Sequence, residues 1–246
     1  MMDDVYSPKF YDVQMAGSTA SAEAVVPHIL SLFQVSSVVD VGCGVGGWLQ
    51  VFDRHGVKDY LGVDGDYIPR DKFKVAAERF RAADLTALPD LCRRFDLACS
   101  LEVGEHLPEE FAAQFVSGLV AAAPVILFSA AIPLQGGTSH VNEQWPTYWA
   151  NLFASHGYVA VDCVRPVMFD NEKIEWWYRQ NMLVFCQSDK CPEGYQPTTS
   201  AYLLNRIHPA MIEHLVTPAS GTDAVERIRR ALPVLKGAVV RKLSLR

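Results

Sequence analysis

The middle of the chain alternates short, β-branched apolar runs with longer stretches whose apolar residues recur at helical spacing. The runs predict strands at Ser37–Val41, Asp59–Val63, Arg79–Ala82, Phe95–Leu101, Val125–Ala130, Tyr158–Val164 and Asn181–Gln187. The helical stretches are Ala20–Phe33, Gly47–His55, Thr86–Arg93, Pro108–Ala122 and Pro146–His156. Such alternation predicts a mostly parallel sheet, because parallel neighbours need a long crossover that a helix supplies. No internal repeat or low-complexity tract interrupts it.

The pattern divides the chain into an N-terminal cap (1–36), a core (37–188) and a C-terminal appendage or tail (189–246). Pro192, Pro197, Pro209, Pro218 and Pro233 punctuate the last of these. From Ala219 onward it carries seven Lys/Arg against two Asp/Glu. A basic stretch of this kind is either a solvated helix face or a surface for an anionic partner.

Composition narrows the partners. The 246 residues are 50% hydrophobic and 20% charged, as expected for a globular protein with one α/β domain. A formal net charge of −6 disfavours a nucleic-acid binder. No apolar run reaches the ~18 residues of a membrane span. Met1–Phe10 holds Asp3 and Asp4 and lacks the apolar segment of a secretory signal, so the expected location is cytoplasmic. The six cysteines show no CxxC or zinc-finger spacing and read as reduced thiols, mostly buried.

Candidate chemistry begins where the first strand ends. Asp40-Val41-Gly42-Cys43-Gly44-Val45-Gly46-Gly47 joins that strand to a helix starting near Trp48. Glycines let the backbone approach a ligand closely, and the helix start offers free N–H groups. A glycine turn alone also suits NAD or FAD, so a nicotinamide-dependent oxidoreductase stays open at this point. Two acids shift the balance: Asp40 stands just before the turn, and Asp64 ends the next strand, 24 residues later.

Together these features resemble the class I S-adenosylmethionine (SAM) methyltransferases. The resemblance implies a Rossmann-like α/β fold: a seven-stranded, mostly parallel sheet with helices on both faces. It assigns Gly42, Gly44 and Gly46 to the cofactor loop, Asp40 to the methionine amino group and Asp64 to the ribose hydroxyls. Asp84, after the third strand, falls on the adenine side, with Leu85 beside the ring.

The fourth strand runs into Glu102-Val-Gly-Glu105-His106, whose i, i+3, i+4 spacing sets two carboxylates and an imidazole on one side of a helical turn. His140 lies in the loop after the fifth strand, which overhangs the same site. This set resembles metal-dependent O-methyltransferases, including those that 2′-O-methylate small RNAs and those of ubiquinone synthesis. That resemblance implies a divalent metal (Mg, Mn, Fe or Zn) on Glu102, Glu105, His106 and His140. A metal-free site would instead use His106 or His140 as general base, with Glu105 beside them.

Trp145, Tyr148 and Trp149 have helical spacing and are either core or a wall for a sugar ring; Asn142, Glu143, Trp145 and Trp149 are the candidate acceptor contacts. The stretch from Leu127 through His140-Val-Asn-Glu-Gln-Trp145 resembles bacterial methyltransferase-domain proteins of polysaccharide or secondary-metabolite pathways, over roughly residues 10–187. The expected reaction is O-methylation of a small metabolite or sugar. An RNA 2′-O-methyltransferase and a non-catalytic SAM-binding protein remain alternatives.

Overall fold

A computed structural model describes residues 8–216. Its single sheet has seven strands: β1 Ser37–Val41, β2 Asp59–Asp64, β3 Phe80–Ala82, β4 Leu97–Leu101, β5 Val125–Ser129, β6 Tyr158–Val161 and β7 Leu183–Gln187. The order is β3-β2-β1-β4-β5-β7-β6, and only β7 runs antiparallel to its neighbours. The seven-stranded, mostly parallel α/β sheet is the one expected. All seven strands lie where the apolar runs predicted them, β1 with the same bounds and each of the others with one end shifted by one to three residues.

Eight α-helices lie among the described residues: α1 Pro8–Leu32, α2 Gly47–Arg54, α3 Ala112–Ala122, α4 Pro146–Ala154, α5 Arg165–Met168, α6 Trp176–Asn181, α7 Ala201–Leu204 and α8 Pro209–Val216. The central strands are buried on both faces, so alternate residues feed two separate cores. Val38, Leu97, Cys99 and Leu127 meet α1 and α2 on one face, while Val39, Val41, Ala98, Ile126 and Phe128 meet α3 and α4 on the other. Period-two alternation puts Asp40 on the α1/α2 face, at the carboxyl end of the central strand.

Helix α1 begins twelve residues before the predicted start, with Ala22, Val25, Val26 and Ile29 as its buried stripe. Pro27 falls on the exposed side, where its missing N–H does least harm.

One expected helix does not form. Thr86–Arg93 contains only a 3₁₀ turn, Leu85–Ala87, followed by irregular chain. Pro89 forces Leu88 into an extended conformation, and Asp84 caps the turn by accepting from the Thr86 N–H at 2.9 Å. Likewise, Pro108 and a 3₁₀ turn at Glu109–Phe111 precede α3.

The described part of the C-terminal segment packs on the rest. Leu204 and Met211 are buried, and the Arg165 guanidinium donates to the Leu203 and Leu204 carbonyls at 2.8 and 2.7 Å. The basic stretch from Ala219 lies outside the described residues. No helix among the described residues is long and apolar enough to cross a membrane. All six cysteines are free; Cys43, Cys99, Cys163 and Cys186 are buried, while Cys92 is exposed.

Candidate active site

The glycine loop leaves β1 in a left-handed conformation that only glycine holds without strain. Gly42 has φ +86°, and a Cβ there would lie 2.2 Å from Val103 Cγ2. The loop, the end of β1 and the start of α2 enclose a cavity of about 150 Å³. Asp40, Gly42, Cys43, Gly44, Trp48 and Glu102 are among its walls.

The roof comes from elements that the motif does not reveal: Ser18 and Thr19 of α1, and Trp177 and Tyr178 of α6. Trp48 Nε1 donates to Ser18 Oγ at 2.9 Å, and the Tyr178 hydroxyl lies 3.4 Å from the same oxygen. Two sequence signals bear on this roof: the amphipathic stretch Ser21–Phe33 ahead of β1, readable as a cover or as a cap of the sheet, and the aromatic run Trp176-Trp177-Tyr178.

Asp40 is 3% exposed, and burial, reinforced by the charge of Asp64, pushes its carboxyl up to about 8. Asp64 is also shifted up by burial, but hydrogen bonds oppose the shift. Its oxygens accept from the Gly44 N–H at 2.7 Å, the Gly65 N–H at 2.7 Å and the Tyr67 hydroxyl at 2.9 Å. Each oxygen has two acceptor sites, so these bonds orient Asp64 without exhausting it. Asp84 is exposed, and its carboxylate is held low chiefly by the Thr86 hydroxyl. Leu85 is buried beside it. Neither residue lines the cavity.

A second group of polar side chains gathers beyond β4. Glu102 sits at φ +56°, its N–H held by the Ser129 carbonyl at 2.9 Å. Its carboxyl accepts from Gln135 Nε2 at 2.8 Å and Asn181 Nδ2 at 3.1 Å, and Asn181 also donates to Gln135 Oε1 at 2.8 Å. Glu102 therefore lies in a buried amide clamp built from two distant segments, on the wall of that same cavity.

The 3₁₀ turn Gly104–His106 then brings Glu105 and His106 together with His140. One ligand atom from each of these three lies within 4.8 Å of the others. Glu105 is fully buried, and neither of its carboxyl oxygens meets a hydrogen-bond partner among the described residues. His106 Nδ1 is buried and equally unpartnered. Burial first, then the charge of Glu102, drives the Glu105 pKa well above the usual carboxyl range. Burial first, then His140, lowers that of His106 to about 4, so its ring is neutral at pH 7.

The loop 131–145 aims His140. The Val141 and Asn142 N–H groups both donate to the Glu105 carbonyl, at 2.8 and 3.0 Å. His140 Nδ1 donates to Glu143 Oε1 at 2.9 Å, which leaves Nε2 facing Glu105 Oε1 at 4.0 Å. A carboxylate that fixes one ring nitrogen so that the other presents a lone pair is the usual support for a metal-binding histidine.

This gives two of the expected acceptor contacts other work. Glu143 holds His140 and also accepts from the Leu134 and Gly136 N–H groups at 2.8 and 2.7 Å. Trp149, expected as a substrate wall, is 2% exposed and packs on Phe128 and Gly104 inside the core. The helical spacing that set it beside Trp145 also turned it inward. Trp145 stays half-buried ahead of α4, and Asn142 is buried with its Nδ2 unpartnered.

The donor set suits a divalent cation. Burial favours the protonated carboxyl of Glu105 and leaves its oxygens unpartnered, and a cation between Glu105, His106 and His140 would favour the ionised form and give those oxygens a partner. Glu102 is not within the tight triad, being held by its amides.

Residues 19–117 match a family model described as a methyltransferase domain. With the sheet order and the glycine loop, this match supports a class I SAM-dependent methyltransferase and weighs against the nicotinamide alternative.

Within that class, solved structures similar in fold include the methyltransferase domain of bacterial CtHen1. It is 18% identical, with a TM-score of 0.51 over 68% of this chain and 97% of that one. The magnesium protoporphyrin IX methyltransferase of Synechocystis PCC 6803 with bound SAH is 18% identical, with a TM-score of 0.51 over 74% of this chain and 89% of that one. The small RNA methyltransferase HEN1 is 17% identical, with a TM-score of 0.50 over 80% of this chain and 28% of that one. No curated protein sequence matches the chain.

Proposed function

We propose that the protein transfers the SAM methyl group to a hydroxyl of a small metabolite or sugar, assisted by a divalent cation held by Glu105, His106 and His140, with Glu102 beside them. The observation that carries this reading is the unpartnered, buried Glu105–His106 pair next to a carboxyl, Glu102, that also lines the cofactor cavity. In this reading Asp40 faces the cofactor amino group, Asp64 the ribose hydroxyls, and the loop of Gly42, Gly44 and Gly46 lets the cofactor backbone pass. The acceptor oxygen attacks the methyl carbon in line, the carbon–sulfur bond breaks, S-adenosylhomocysteine leaves, and the acceptor proton passes to one carboxylate of the Glu102/Glu105 pair, which a bound cation would hold ionised.

A divalent cation here supplies Lewis acidity, lowering the pKa of an acceptor hydroxyl and orienting a vicinal diol. A metal-free route through His106 is weaker: an imidazole whose pKa lies near 4 takes a proton from a hydroxyl with little driving force. The test is metal content and methyl transfer for the native protein, His140→Ala and Glu105→Ala, with and without chelator. Loss of activity with the metal, and its return on metal addition to the native protein alone, is expected. Full activity after complete metal removal would sink the reading.

A further inference from the structure

Glu102 is held by more than its two amide partners. Its φ of +56° is one that a non-glycine residue keeps only where the surroundings fix it. Asn181 and Gln135, which donate to its carboxyl, both meet a third amide, Gln180, which is 1% exposed at the end of α6. Gln180 Nε2 donates to Asn181 Oδ1 at 3.1 Å and to Gln135 Oε1 at 3.4 Å. Gln180 Oε1 accepts from the His208 backbone N–H at 2.9 Å, just ahead of α8.

The direction of every bond in this chain follows from its outer end. A backbone N–H can only donate, so it turns the oxygen of Gln180 toward His208 and the NH₂ toward Asn181 and Gln135. Those two must then face Gln180 with their oxygens, which leaves their NH₂ groups for Glu102. Asn181 Nδ2 reaches Oε1 at 3.1 Å and Gln135 Nε2 reaches Oε2 at 2.8 Å. The Ile132 N–H, 3.3 Å from Gln135 Oε1, sets Gln135 the same way round independently. The outer end is itself anchored. His208 Nδ1 accepts from the Ala210 N–H at 3.1 Å, so Nε2 carries the proton and donates to the Phe169 carbonyl at 3.0 Å. Arg165 ties the Gln180 carbonyl, at 3.2 Å, to those of Leu203 and Leu204.

We propose that Gln180 is a positioning residue for Glu102. Through it, the C-terminal segment around His208 sets the donor direction of Asn181 and Gln135 and so holds the Glu102 carboxyl on the cavity wall. The inference rests on the role given to Glu102 in methyl transfer above, and adds a residue that acts only through it. Gln135, Gln180, Asn181 and His208 are all buried, and a fully paired polar network at such a place specifies one arrangement of the groups it joins. Without Gln180 the Asn181 amide is free to turn over and present its oxygen to Glu102, where two acceptors repel and the carboxyl leaves its place.

The experiment uses the full-length protein and two readouts. One is hydrogen exchange of the ¹⁵N-labelled side-chain amides. The other is label transfer from methyl-labelled SAM to the small-molecule fraction of a cell extract. Gln180→Met keeps the shape but has neither donor nor acceptor. It should speed exchange at Asn181 and Gln135 at least about tenfold and cut transfer at saturating SAM by about tenfold, equivalent to about 1.4 kcal/mol. The KM for SAM should stay within about threefold, because the loss lies in the transfer step. Gln135→Met, in the loop after β5, removes one donor directly and carries the same expectation for transfer if Gln180→Met does not fold. Leu204→Ala loses stability as a cavity on the docked segment without touching the amides, so it should keep native exchange and native transfer.

Native exchange and native transfer in Gln180→Met overturn the inference, and so does Leu204→Ala matching that variant in both. Glu102→Gln separates this failure from that of the proposed function. If Glu102→Gln loses transfer while the Gln180 and Gln135 variants keep it, only the positioning by Gln180 falls. If Glu102→Gln transfers as the native protein does, or the native protein transfers no label, the proposed function falls, and amide exchange alone then judges the link from Gln180 to Glu102.

Discussion

Replacing Asp40 by Asn separates what the site costs the free protein from what it gives the bound one. Asp40 is buried, and its carboxyl is pushed up to about 8 from an ordinary 3.8, first by burial and then by Asp64. Both folded and unfolded chains carry the proton below pH 4. As pH rises the unfolded chain releases its proton first, so the stability that the neutral carboxyl preserves is lost progressively until pH reaches about 8. At pH 7 the free protein has lost about 4 kcal/mol in this way, at about 1.4 kcal/mol per pH unit. Asn does not titrate. The stability of Asp40→Asn relative to the native protein should therefore climb by about 3 kcal/mol between pH 5 and pH 7. Urea unfolding of the cofactor-free proteins at several pH values reads this directly.

Binding should show the reverse. A cationic amino group beside Asp40 favours its ionised form, so the native protein should release close to one proton on binding S-adenosylhomocysteine at pH 7. Its affinity should rise by up to about tenfold per pH unit from pH 6 toward pH 8. In the variant both the proton release and this pH dependence vanish, and affinity falls by about 1.5–3 kcal/mol, the worth of a hydrogen bond to a charged group. Calorimetry in two buffers of different ionisation enthalpy measures both. A relative stability flat from pH 5 to pH 7, or a variant that binds as tightly as the native protein, would refute the placement of Asp40 as the buried acid facing the ligand.

Glu143→Gln should weaken Mn²⁺ binding about 10–100-fold by releasing His140, while S-adenosylhomocysteine binding stays unchanged; a chelator-competition titration showing equal metal affinity would rule that out. Gly42→Ala forces a side chain into a φ of +86° and against Val103, so it should cost about 2 kcal/mol or more in unfolding free energy and abolish cofactor binding. Trp149→Ala should cost about 3–5 kcal/mol as a core cavity, whereas Trp145→Ala should cost less than about 1 kcal/mol and raise the acceptor KM; equal stability losses would contradict their different burial.

Some of this was local and therefore legible in the chain itself. The β1–loop–α2 unit needs only apolar residues at period two, glycines where φ turns positive, and a helix start directly after, all within Ser37–Arg54. The clustering of Glu105 with His106 needs only one short turn. Backbone geometry dictates these features, and backbone geometry is set by neighbours in sequence.

What the sequence left open depended on which distant segments meet. The amide clamp on Glu102 joins Gln135 to Asn181, and the cavity roof joins Ser18 to Trp48 and Tyr178. No local pattern encodes those pairings. Trp145 and Trp149 read alike in sequence, yet α4 packs with Trp149 on the sheet and Trp145 at the rim. The helix expected at Thr86–Arg93 lost to Pro89 and the Asp84 cap, because two local signals outweighed a weak periodicity. Sequence thus determined the glycine loop and the residue types available for chemistry. Tertiary structure decided which carboxyls are clamped, which stay unpartnered and which support a histidine, since burial and pairing are properties of the packed sheet and its loops.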